Sequence, residues 1–226
     1  MALELYFHPL ASFCHKVLIA LYENETPFTP HLLDLGNPDE KAAFLDIWPV
    51  GKMPILRDEA RDETVPETSI IIEYLDRHYP GPVPLLPADE ALLLDARLWD
   101  RFFDLYVQGP MQAIVGDRIR PEGERDPRGV TNAEATLATA YGMIERRMAE
   151  RSWAAGEAFG IADCAAAPAL FYAGIVAPFP PAHRNLAAYF ERLLERPSFA
   201  RVLKEARPYF AMFPYRDKMP ARFLDG

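Results

Sequence analysis

The hydrophobic pattern of this chain changes character across Pro80-Gly81-Pro82-Val83-Pro84. Before that break, short strand-like apolar runs interleave with helical ones. After it, the apolar repeats have helical spacing and no strand-like alternation returns. Such a chain fits neither one continuous sheet nor one plain helix bundle; it calls for a small α/β unit followed by a helical one. With 226 residues and an apolar share of 50%, there is enough material for both to bury a core.

Leu3-Glu4-Leu5-Tyr6-Phe7 predicts an opening strand, and His8-Pro9-Leu10 the turn that leaves it. From Phe13, apolar residues at Val17, Leu18, Leu21 and Tyr22 predict a helix ending near Glu23-Asn24. Residues 28–33 read as a second strand, which Pro30 confines to an edge or an end. A short, irregular helix is expected over 39–47. Ile55-Leu56-Arg57 and Thr64-Val65 bracket a polar turn as a hairpin, and a helix over 68–78 packs Ile71, Ile72 and Leu75 inward. This order, βαβ then hairpin then helix, is a thioredoxin-like pattern and implies a mixed sheet with helices on its faces. The expected fold class is α/β plus all-α: a thioredoxin-like unit over 1–80, a linker over 81–87 and a helical unit over 88–226. In that last unit Leu92, Leu93, Ala96, Trp99, Phe102, Phe103 and Tyr106 outline one long helix. Residues 116–129, with Pro121, Gly123 and Pro127 among many charges, read as a surface loop. Further helices are expected over 133–148, 162–175, 186–194 and 198–205.

Composition narrows the partners. A net charge of −9 argues against nucleic acid. No apolar run approaches the roughly 20 residues of a membrane span, and Met1-Ala2-Leu3-Glu4 lacks the basic start of a secretory signal. The 2 cysteines, Cys14 and Cys164, are too few for a disulfide scaffold, so a reducing, cytoplasmic setting is expected.

Two segments carry the chemistry. Trp48-Pro49-Val50-Gly51-Lys52-Met53-Pro54-Ile55-Leu56 begins a strand just after a proline, offering free backbone groups to whatever lies alongside. Pro66-Glu67-Thr68-Ser69-Ile70-Ile71-Ile72-Glu73-Tyr74-Leu75 puts an acid and a hydroxyl at the head of an apolar helix, with free N–H donors. Together they suit an extended, peptide-like ligand with a carboxylated, aminated end. At this spacing they resemble the glutathione-binding half of the cytosolic glutathione transferases, of a serine-type, theta- or zeta-like bacterial kind. The resemblance continues through Trp153-Ala154-Ala155-Gly156-Glu157-Ala158-Phe159-Gly160-Ile161-Ala162-Asp163, similar to that family's folding motif, although Gly160 stands where Ser or Thr is usual.

The resemblance implies a glutathione transferase that ionises the tripeptide's thiol for conjugation to a small hydrophobic electrophile, or for peroxide reduction, in a detoxifying role. A free thiol has a pKa of about 8.5, and lowering it by ~2 units takes about 2.7 kcal/mol. One hydroxyl donor supplies roughly 1.5–3 kcal/mol and a helix N-terminus about 0.3–1 more. Ser12 is the candidate hydroxyl, with the Phe13 N–H beside it; Ala11 stands where many serine-type relatives carry another Ser, and Ser12 also reads as a plain helix cap. Cys14 turns about 200° away from Ser12 along a helix and reads as core, as does Cys164, whereas His15 is expected at the surface.

By the same resemblance, Met53 before a cis Pro54 pairs with the cysteinyl backbone, Lys52 meets the glycine carboxylate, and Glu67 and Thr68 hold the γ-glutamyl end. Each has a plainer reading, as a solvated lysine or an ordinary helix start. Tyr106, Met111, Ile114 and Val115, with Tyr172, Tyr209, Phe210 and Phe213, are candidates for the second-substrate wall or for plain core. A homodimer is implied, in which Asp100 and Asp104 either reach the neighbour's glutathione or lie as surface acids on a helix. No metal is expected. The alternatives are a glutathione-dependent isomerase and a binding module that keeps the fold without the chemistry.

Overall fold

The computed structural model describes residues 3–224; the outer ends of the expected spans, residues 1–2 and 225–226, lie outside the described residues. Four strands, β1 (Leu3–Phe7), β2 (Thr29–Leu32), β3 (Ile55–Asp58) and β4 (Glu63–Val65), form one sheet in the order β2-β1-β3-β4. β1 and β2 are parallel, while β1–β3 and β3–β4 are antiparallel. Pro30, opposite Leu5, lies on the edge strand, where a missing N–H costs least. Helices α1 (Ser12–Glu23) and α3 (Thr68–His78) share a core with Leu3, Leu5, Phe7, Leu56 and Val65. α2 (Pro38–Ile47) joins a smaller cluster, placing Phe44 with Leu33 and Ile55.

The helical part comprises α4 (Glu90–Phe102), α5 (Gly109–Ile119), α6 (Pro127–Arg147), α7 (Ile161–Val176), α8 (Arg184–Leu194), α9 (Pro197–Ala206) and α10 (Ala221–Leu224), with short 3₁₀ turns between them. α7 is buried along almost its whole length and packs against α1, so one core runs through both parts. That explains why α1 is apolar nearly all round, burying every residue from Cys14 to Leu21.

Two expectations change here. The single long helix over 92–106 is instead α4, a π-helical stretch over Phe103–Gln108, and α5. Apolar spacing does not separate a wider turn from an α-helical one, and π segments concentrate at functional sites. The expected loop over 116–129 shrinks to residues 120–126. α6 starts at Pro127, where Asp126 accepts from the Gly129 N–H at 2.8 Å and Pro127 occupies the first turn, both helix-start signals.

The proline-rich connection is pinned. Val83 N–H donates to Asn24 Oδ1 and Leu85 N–H to Asp76 Oδ1, each at 3.0 Å. The buried Leu85 offers its carbonyl to the Ile161 N–H at the start of α7, 2.9 Å away. A Cβ on Gly160 would stand 2.9 Å from that same carbonyl oxygen, which accounts for glycine where the resemblance leads one to expect Ser or Thr.

Candidate functional site

A cleft of about 430 Å³ opens between the sheet unit and the helical part. Its sheet-side wall is built from two helix starts and one strand entrance. Ala11 and Phe13 line it at the start of α1, Glu67 and Thr68 at the start of α3, and Lys52, Met53 and Pro54 at the entrance to β3.

Each piece leaves backbone groups open. Within an α-helix the first N–H groups have no internal acceptor. At α1 the intrahelical bonding begins with Cys14 N–H donating to Ala11 C=O at 2.9 Å, and Ala11 has no side chain to cap Ser12 and Phe13. At α3 the first such bond is Ile71 N–H to Glu67 C=O at 2.8 Å, and the Glu67 side chain caps nothing. Glu67 is held at φ 67°, ψ 118°, a backbone conformation that is costly for a residue with a Cβ and gathers at ligand sites. The Met53–Pro54 peptide bond is cis. Met53 precedes the first paired residue of β3, Ile55, so its backbone groups lie outside the ladder.

Ser12 is the first residue of α1 and only 7% exposed; the cleft is lined by its neighbours on either side rather than by Ser12 itself. Cys14 and Cys164 are fully buried, and burial pushes the Cys14 thiol up to about 12, far from a reactive thiolate.

The turn carrying Ala11 is braced from the core. Leu10 N–H donates to His8 Nδ1 at 3.1 Å, and the Tyr172 hydroxyl donates to Leu10 C=O at 2.8 Å. His15, expected at the surface, is completely buried; its Nε2 lies 2.5 Å from Pro9 C=O, and burial lowers its pKa to about 4. The ring is therefore neutral, with the proton on Nε2 donated to that carbonyl. Because α1 shares a core with β1 and β3 and packs against α3, α7 and α9, it has no outward face for His15 to occupy.

The helical wall departs further from expectation. Met111, Ile114, Tyr172, Phe210 and Phe213 are buried in the core, and Tyr106 is half exposed, away from the cleft lining. Val115 and Tyr209 are partly buried against other groups and also do not line it. Arg101, Asp104 and Gln112 line it instead, so this wall is polar. The π-helical stretch sets Phe103, Asp104, Val107 and Gln108 inward, which a uniform helical count through Tyr106 and Met111 does not reproduce.

Asp100 and Asp104 are likewise buried rather than surface acids. Lys16 Nζ, itself buried, lies 2.6 Å from Asp100 Oδ1 and 2.8 Å from Asp104 Oδ2, and donates to Ser69 Oγ at 3.0 Å. Ser69 in turn donates to Asp100 Oδ2 at 2.5 Å. This cluster ties α1, α3 and α4 together directly behind the α3 start. Burial raises the Asp104 carboxyl above its ordinary value, against the pull of Lys16. The sequence signal that was available is a lysine inside an apolar helix, which needs a buried acid partner.

The fold is thus a thioredoxin-like unit on an all-helical one, with a peptide-sized cleft where they meet. Residues 5–83 match the family model for the N-terminal domain of glutathione S-transferases, and residues 102–197 that for their C-terminal domain. The glutathione S-transferase GstB of Escherichia coli (strain K12) is 30% identical over 196 residues, spanning 83% of this chain and 91% of that protein. The stringent starvation protein A homolog of Coxiella burnetii is 27% identical over 212 residues, spanning 90% and 92%. A solved glutathione S-transferase from Methylobacterium radiotolerans, in complex with glutathione sulfonate, aligns with a TM-score of 0.77 at 27% identity, covering 89% of this chain and 94% of that one. The chain belongs to the glutathione S-transferase family.

Proposed function

We propose that this chain binds glutathione along the cleft and presents its sulfur as a thiolate to small electrophiles. One observation carries the reading: two uncapped helix starts and an unpaired strand entrance converge on a single cleft. Met53 pairs with the cysteinyl backbone, Lys52 meets the glycine carboxylate, and Glu67 with Thr68 takes the γ-glutamyl end. A carboxylate is well placed at the α3 start, where N–H groups and the helix dipole both favour negative charge. The sulfur lies at the α1 start, held by the free N–H groups of Ser12 and Phe13, with the Ser12 hydroxyl as the added donor. Such a thiolate supports conjugation or peroxide reduction, in a detoxifying role. The two buried thiols fit a reducing, cytoplasmic setting.

A homodimer is part of the proposal. Leu94, Leu98 and Leu105 are exposed along α4 and its π-helical extension, with Ile70 exposed on α3, an apolar stripe suited to a second copy. No helix among the described residues is long and apolar enough to cross a membrane.

A second reading is binding without turnover. It is favoured by Ala11 at the cleft and by the burial of Ser12. The relative from Coxiella burnetii, named a stringent starvation protein rather than a transferase, is consistent with it. Calorimetry with glutathione, then turnover with an aryl halide, a peroxide and a conjugated dione, tests both. Conjugation or peroxide reduction supports the first reading and isomerisation alone moves the chain to that reaction class. Binding with no turnover supports the module, and indifference to millimolar glutathione removes all three.

A further inference from the structure

Three backbone groups in the turn before α1 are each taken by a different side chain. His15 Nε2 donates to Pro9 C=O at 2.5 Å, Leu10 N–H donates to His8 Nδ1 at 3.1 Å, and the Tyr172 hydroxyl donates to Leu10 C=O at 2.8 Å. A fourth bond, Ala11 N–H to His8 C=O at 3.0 Å, closes the turn on itself. An ordinary surface turn leaves such groups to water. Here α7 supplies the Tyr172 hydroxyl, from 162 residues further along the chain. The aromatic tail after α9 backs these braces. The Tyr209 ring meets His8 edge-on with centroids 5.1 Å apart, and Phe213 meets Tyr172 at the same 5.1 Å. Tyr172 and Phe213 are buried and neither lines the cleft, so both act from behind the turn.

Of residues 8–11 only Ala11 lines the cleft. Its dihedrals, φ −78° and ψ 118°, set the direction of the Ser12 N–H, the first open donor of α1. A peptide group is a rigid plane, so holding the Leu10 carbonyl holds the Leu10–Ala11 plane from which those dihedrals start. A donor aimed in advance stabilises an anion with no reorganisation when the charge forms.

We infer that Tyr172 is a positioning residue for the sulfur end of the site: its hydroxyl fixes the Leu10–Ala11 peptide, and Phe213 of the tail fixes the Tyr172 ring. The α1 donors are thereby aimed before the ligand arrives. This rests on the glutathione reading above and gives the aromatic tail a task behind the site rather than in its wall.

The test measures two quantities on the purified full chain: the pKa of the bound glutathione sulfur, from the ultraviolet absorbance of its thiolate, and the affinity for S-methylglutathione, which has no thiol to ionise. Tyr141→Phe is the control, since that equally buried tyrosine donates to Ala177 C=O at 2.9 Å and lines no part of the cleft. Tyr172→Phe is expected to raise the sulfur pKa by about one unit, an about tenfold weaker hold on the anion, with S-methylglutathione bound as in wild type. Tyr141→Phe is expected to leave both as in wild type, and Phe213→Leu to raise the sulfur pKa by a smaller step. An unmoved sulfur pKa in Tyr172→Phe, an equal shift in Tyr141→Phe, or S-methylglutathione weakened as much as the anion overturns the inference. Should Tyr172→Phe fail to fold, Phe213→Leu decides, and an unmoved pKa there overturns it as well. A shift in Tyr172→Phe without one in Phe213→Leu removes the tail from the assignment. Wild type that binds neither ligand, or that leaves the thiol at its ordinary value, removes the glutathione reading itself, a failure seen before any variant is made.

Discussion

The helix starts of α1 and α3 contrast with that of α7. All three follow a residue with no capping side chain: Ala11, Glu67 and Gly160. At α7 the start is closed from within: the Ile161 N–H donates to Leu85 C=O at 2.9 Å, and Asp163 accepts from the Gly160 N–H at 3.0 Å while also tying down the Ala154 N–H at 2.8 Å and the Tyr189 hydroxyl at 2.5 Å. At α1 and α3 the donors face a cleft. A buried helix start must be closed by the protein, whereas one beside a cavity can wait for a ligand. The same local chemistry thus builds the fold in one place and a site in another.

The contrast breaks most visibly at the charges that support it. Lys16→Met leaves Asp100 buried without a cation and Asp104 with Arg101 alone, and the expected loss is about 3–5 kcal/mol, read as a lower midpoint in urea unfolding. An unchanged midpoint would show that the cluster is not needed behind the α3 start. Asp163→Ala strands three buried donors, with an expected loss of about 3 kcal/mol and a Tm lower by roughly 6–12 °C. Glutathione affinity of the folded fraction should stay as in wild type, since Asp163 closes a start that faces no ligand.

Acid sharpens the comparison through His15. Its folded pKa of about 4 lies below the unfolded value of 6.5, so the unfolded chain takes up the proton first. Stability is lost as pH falls from 6.5 to 4, by up to roughly 3 kcal/mol. Asp163 acts with the opposite sign: burial raises it from 3.8 to about 6, so its contribution falls as pH rises over that window. His15→Gln should therefore remove the His15 loss, and its stability relative to wild type should climb as urea melts are taken from neutral pH to pH 4. Parallel pH profiles for the two proteins would refute the assignment.

Ser12→Ala asks whether the α1 start works by its N–H groups alone. With the hydroxyl engaged, conjugation should drop about tenfold to hundredfold in kcat/KM, roughly 1.4–2.7 kcal/mol, with the fold unchanged by circular dichroism. Full activity in that variant would assign thiolate stabilisation to the backbone. The smallest expected effect is at Gly160. Adding Ser there meets the Leu85 carbonyl at 2.9 Å, so stability should fall by about 1–2 kcal/mol rather than improve through a better cap.

Much of the front half was legible because its signals are local. Period-two alternation marks β1, Pro30 marks the edge strand, and the Pro66-Glu67-Thr68 start of α3 reads from three residues. The residues that line the cleft on that side, Phe13, Lys52, Met53, Pro54, Glu67 and Thr68, follow directly, since strand entrances and helix starts are fixed by short stretches of backbone. The second wall did not follow. Tyr172 and Met111 have the apolar character of a pocket lining, yet a pocket and a core recruit the same residue types, and only packing decides between them.

The sequence by itself determined the kind of elements, their order and the open backbone groups on the sheet side, because these depend on neighbours a few residues apart. The tertiary structure alone decided that Lys16 and His15 are interior, that Asp100 and Asp104 are buried partners of Lys16 rather than surface charges, and that Arg101, Asp104 and Gln112 line the cleft. Those outcomes depend on α1 being enclosed by β1, β3, α3, α7 and α9 and on the π-helical stretch between α4 and α5, which rotates one wall of the cleft relative to a uniform helix. Which way a side chain points across such a junction is set by long-range packing, and no local pattern encodes it.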